Sequence, residues 1–179
     1  AEVRFTFRRS DLLRWLYLGR LTLVAGILAG ALRQWFGADP EQTFVATVAF
    51  LVAFLLTGVS FWFTHIAGHE PGDNFVYAQV IFDALLVTAI VHITGGGGSP
   101  FAPLYILVIS TGALLLPLPG GVLVGILATI LFFADTVLLN LETFRPEVLL
   151  QMGLFAAVAV ITGWLGDRVR RAGLALGAV

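Results

Sequence analysis

Asp83, His92, Ser99 and Asp135 are the side chains best equipped for chemistry, and all four lie in or beside long apolar runs. A serine, a histidine and an acid are the ingredients of a nucleophilic triad, which requires the base bonded to the serine and the acid bonded to the base. His92 precedes Ser99 by roughly two helical turns, and no acid is visibly placed to orient it, so the spacing gives acyl transfer no support. The glycines at 95, 96, 97 and 98 lack the lysine and following Ser or Thr of a phosphate-binding loop. His65 and His69 are four residues apart, with Glu70 and Asp73 close behind. A metal site there would need helix through Gly68, whereas Gly68 and Pro71 favour fraying, so no metal ligands are assigned. His92 is the one candidate cofactor ligand, because neutral imidazole binds haem or pigment metals. No cofactor is predicted; bound lipid is expected, and peripheral pigment contact stays open.

A carboxylate within an apolar span costs a few kcal/mol (~2.5–3.5 on insertion scales), so Asp83 and Asp135 should be neutralised or hydrogen-bonded within the protein. Gln79 sits one turn before Asp83 on the same helical face, and Thr94 continues that stripe toward the glycines. Thr88 and His92 occupy a face turned well away from it. A proton or cation path through the two aspartates would need more polar companions than the sequence offers. The expected polar, signal-coupling or packing set is therefore Gln79, Asp83, Thr94, Gly95, Gly96, Ser99, Pro100, Phe101 and Asp135.

These residues must be positioned by membrane helices. The chain of 179 residues is 59% hydrophobic and 12% charged, outside the range of soluble domains. Apolar stretches of about 20 residues point to helices and not to barrel strands. Six spans are expected, at 12–36, 43–65, 75–93, 101–116, 122–141 and 148–165. The fourth is short and bracketed by Pro100, Pro103, Pro117 and Pro119. A re-entrant fourth element is the alternative to a spanning one.

All ten basic residues are arginine, and there is no cysteine, which removes disulfides and thiolate chemistry. A net charge of -1 argues against nucleic acid as a partner. Six crossings would gather Arg4, Arg8, Arg9, Arg14, Arg168, Arg170 and Arg171 on the cytoplasmic side, with Arg20 snorkelling toward the same surface and Arg33 and Arg145 outside. The fold expected is all-α and polytopic, with short loops and both termini cytoplasmic. Residues 1–14 form a basic lead-in, 15–166 a six-helix bundle, and 167–179 a tail or the start of a signalling linker. The glycine-rich break at 94–101 is then an external hinge. Ala1 as first residue suggests processing or a piece of a longer chain, and no cleavable signal peptide is evident.

Leu13-Arg14-Trp15-Leu16-Tyr17-Leu18-Gly19-Arg20, Asp83, Thr94-Gly95-Gly96 and Ser99-Pro100-Phe101-Ala102-Pro103-Leu104-Tyr105 together resemble the membrane region of bacterial sensor histidine kinases of the PilS-like and NtrB-like kind. The resemblance covers nearly the whole chain. It implies an inner-membrane input bundle that would precede a linker and the dimerisation and ATP-binding domains of a two-component kinase. These 179 residues contain neither of those domains, so the chain by itself is not expected to be an enzyme. Lipids and a homodimer or larger membrane complex are the partners expected. A second reading is an accessory subunit of a photosynthetic or respiratory complex, and a third is a small transporter. The reading frame beyond Val179 separates the first two.

Overall fold

A computed structural model describes residues 9–33, 40–139 and 145–177. Arg4 and Arg8, both named above, lie outside the described residues, as do residues 34–39, 140–144 and 178–179. The described chain is all-α. Five segments are long and apolar enough to cross a membrane: Asp11–Gly30, Thr43–Ile66, Asp73–Ile93, Leu118–Leu138 and Pro146–Ala172. The protein is therefore multi-pass, and it divides into two compact units at 1–72 and 73–179.

The first unit pairs α1 (Arg9–Arg33) with α2 (Pro40–Phe61). Leu13, Tyr17, Arg20 and Val24 form the buried stripe of α1, and Ala46, Ala53, Thr57, Ser60 and Thr64 that of the second helix and its extension. Both stripes repeat in steps of three and four, the spacing of a left-handed helix pair, with small residues on α2 allowing close approach. Arg20 departs from the expected snorkelling position. It is only 6% exposed, and its Nη1 donates to Thr57 Oγ1 at 3.3 Å. The reason is the Thr57 hydroxyl, which offers the buried guanidinium an acceptor within the seam. Beyond α2 the helix widens into a π-helical turn, Trp62–Ile66, closed by Ala67 N–H donating to Trp62 C=O at 2.8 Å. His65 stacks on Phe61 and His69 on Phe63, with ring centroids 4.6 and 4.5 Å apart.

The second unit contains α3 (Asp73–Ile93), α4 (Leu104–Leu115), α5 (Leu118–Phe133) and α6 (Pro146–Gly177). Its centre is an aromatic cluster of Tyr105, Phe132 and Phe155, none of them exposed, with centroids 5.3 to 5.8 Å apart. Small residues set the helix spacing around it. A Cβ on Gly125 would come within 2.5 Å of the Ala159 methyl, and one on Gly121 within 2.8 Å of the Ala113 backbone. Such contacts hold helices together by van der Waals packing where lipid offers no hydrophobic drive.

The fourth helix starts at Leu104 and not at Phe101. Pro100 and Pro103 supply no amide donors, and the chain from Ser99 to Ile106 instead runs through i to i+3 bonds, including Ala102 N–H to Ser99 C=O at 3.2 Å and Ile106 N–H to Pro103 C=O at 3.0 Å. The last helix exceeds its expected end, continuing through the basic segment to Gly177.

Candidate functional site

One end of the second unit gathers most of the polar side chains named from the sequence. On α3, Thr88 Oγ1 donates to Ala84 C=O at 2.8 Å, which leaves it to accept from the Tyr105 hydroxyl at 2.6 Å. One turn later, His92 Nδ1 meets Asp135 Oδ1 at 2.7 Å. Asp135 is 1% exposed, whereas the His92 side chain is 39% exposed. The contact orients the imidazole by its Nδ1 edge, so the other ring nitrogen, Nε2, is not the one engaged by Asp135.

Asp135 reaches this position from a π-helical turn, Ala134–Leu139, that follows α5. The wider turn buries two consecutive polar residues, Asp135 and Thr136, each 1% exposed. Asp135 takes His92, while Thr136 lies against the glycine break: a Cβ on Gly97 would stand 2.7 Å from Thr136 Cγ2 and 3.2 Å from Val148 Cγ2. Single π-turns within membrane helices commonly mark functional positions.

The break itself is tightly bonded. Thr94 Oγ1 donates to Ile90 C=O at 2.6 Å and pairs with Ser99 Oγ at 2.5 Å, and Ser99 Oγ accepts the Phe101 amide at 3.1 Å. Between them Gly96–Gly98 forms one 3-10 turn, with Gly98 N–H to Gly95 C=O at 3.1 Å and Ser99 N–H to Gly96 C=O at 3.0 Å. Gly95 and Gly96 have φ of 115° and 58°, a region that side chains with a Cβ rarely adopt.

The structure thus brings together Thr94, Gly95, Gly96, Ser99 and Asp135, and adds His92, Thr88, Tyr105 and Gly97. Pro100 and Phe101 are exposed at the outer edge of the turn. Gln79 is buried and Asp83 half-buried nearer the start of α3, and nine residues separate Asp83 from His92 along the helix. Thr88 and His92, on the face that the sequence set apart from the Asp83 stripe, both make polar contacts to another element. Their four-residue spacing was the available signal. Among the described residues, Ser99 is engaged by Thr94 and Phe101 and His92 by Asp135, so serine and histidine do not form a nucleophile and base pair.

The arrangement links three helices and a fixed turn without assembling a reaction centre. A family model, the PilS-like transmembrane domain, matches residues 8–176. The chain belongs to the PilS-like transmembrane domain family. It is a multi-pass domain of the bacterial inner membrane and resembles the sensor input module of histidine kinases. No catalytic domain lies within it. Searches of curated proteins and of solved structures returned no match. In this PilS-like domain the glycine break joins α3 to α4, and His92 with Asp135 ties it to the end of α5.

Proposed function

We infer that this PilS-like domain is the input half of a signalling protein, in which the bonded turn at 94–99 and the His92–Asp135 pair receive the stimulus and α6 carries it away. The observation that carries this reading is the length of α6. Its 32 residues, about 48 Å of helix, exceed a hydrocarbon core of about 30 Å, and the excess is the charged segment Asp167, Arg168, Arg170 and Arg171. A continuous rigid helix transmits rotation or translation across the bilayer edge.

The topology proposed has six crossings with both ends cytoplasmic. Two facts support it. The arginine distribution gathers charge at the two ends of the chain. In addition, α4 and the turn after it pack along the middle of α3, with Tyr105 meeting Thr88 at one end of the contact and Tyr77 Oη abutting Gly120 at the other.

The test joins residues 1–172 to the cytoplasmic part of a PilS-like kinase and inserts one to four alanines at the junction. Each insertion rotates the output by about 100°. Phosphotransfer to the response regulator should rise and fall with a period near 3.6 residues. Activity that ignores insertion number would sink the input-module reading.

A further inference from the structure

The second unit carries a contact far from the glycine turn that the sensor reading does not use. Pro117 has no amide for the Ala113 carbonyl and Pro119 none for that of Leu115, so the last turn of α4 ends with unmet acceptors. Leu116 leaves the helix in an extended conformation, with φ of -101° and ψ of 157°. Its carbonyl is taken by Arg170 Nη1 from α6. Arg168 instead lies over the Trp164 ring at 4.1 Å, and Arg171 pairs with Asp167 at 2.5 Å. Of these three arginines, Arg170 is the one turned inward, placing a cation at the negative end of the α4 dipole.

Gly166 makes this reach feasible. A Cβ there would fall 2.8 Å from the Ala113 carbonyl oxygen and 3.6 Å from Arg170 Nη2. Hence α6 touches the backbone of α4 one turn before the arginine caps it. Contacts between the two helices advance together, from Tyr105 with Phe155 to Ala113 with Gly166 to Leu116 with Arg170, so the helices run parallel. At its start, α6 also presents Val148 to Gly97. The helices are therefore clamped at both ends, with α4 as a rod about 18 Å long between them.

We propose that Arg170, seated by Gly166, is a positioning residue that couples the basic end of α6 through α4 to the bonded turn at 94–99. Opening the cap frees the end of α4, and the freed rod loosens the turn with which it is continuous. The proposal draws on the sensor reading only in naming α6 the output; the coupling itself is a property of this chain.

Backbone hydrogen exchange on the full chain in nanodiscs tests it, comparing residues 113–118 with residues 94–99. In Arg170→Gln, exchange should rise about tenfold in both segments, the loss expected for one charge-assisted hydrogen bond. Arg170→Lys should restore most of the protection in both. Gly166→Ala, which keeps the guanidinium but pushes α6 off Ala113, should reproduce the double rise and serves alone should Arg170→Gln fail to insert. A rise confined to 113–118 would make Arg170 a local cap, and no change at either segment would remove even that role; each overturns the coupling. Neither outcome depends on whether a kinase joined to the domain responds to helical phase.

Discussion

Gly97 and Gly98 are adjacent and identical, yet their surroundings differ sharply. A methyl group at 97 would meet Thr136 and Val148, whereas at 98 it would enter open space. Gly97→Ala should therefore cost about 1–3 kcal/mol through overpacking, and Gly98→Ala should be neutral or stabilising by about 0.4–1 kcal/mol. Thermal unfolding in detergent measures both; equal losses would contradict the wedge against Thr136. The sequence identified the glycines as a break in the helix, since a run of four could not be helix interior. It could not rank them, because the neighbour that decides lies on the turn after α5. The same distance hid the partner of Asp135, which is His92, 43 positions earlier. Arg20 was misplaced for a related reason: proximity to the basic end suggested a surface position, while the hydroxyl that holds it inside lies on another helix.

Among the elements, the spans followed directly from apolar run length, whereas the polar seam of the first unit went unread because its hydroxyls lie within an apolar run. Ala53 sits on that seam with no exposure. Ala53→Leu should force α1 and α2 apart and weaken their pairing by about 1–3 kcal/mol. Crosslinking between cysteines placed on the two facing stripes beside the Arg20–Thr57 contact reports the separation, and undiminished crosslinking would refute the close approach. The two π-helical turns had no sequence signature, since their residues are compatible with ordinary helix and only the hydrogen-bond register differs. The late start of α4 was legible in principle from Pro100 and Pro103. What misled was the unbroken apolarity of Phe101, Ala102 and Leu104 around them.

For the whole molecule, hydropathy gives five crossings without ambiguity and leaves the sixth to the 12-residue α4. The six-crossing topology proposed above predicts that single cysteines at Gly98 and Pro117, both exposed, label from opposite sides of the membrane. Labelling from one side would require a re-entrant α4 and an odd number of crossings. Family membership accounts for nearly the whole length of the chain, but the bonds that fix its glycine break are visible only in the folded structure. That break, expected to be a hinge, is held by two hydroxyls, two left-handed glycines and a wedged third. Glycine surrenders more backbone freedom than any other residue when fixed in one conformation, where an ordinary residue gives up about 1–2 kcal/mol at room temperature. The corner is thus an entropic debt carried by the folded domain, one that grows with every degree of warming and makes 94–99 the segment of this unit where heat should act first.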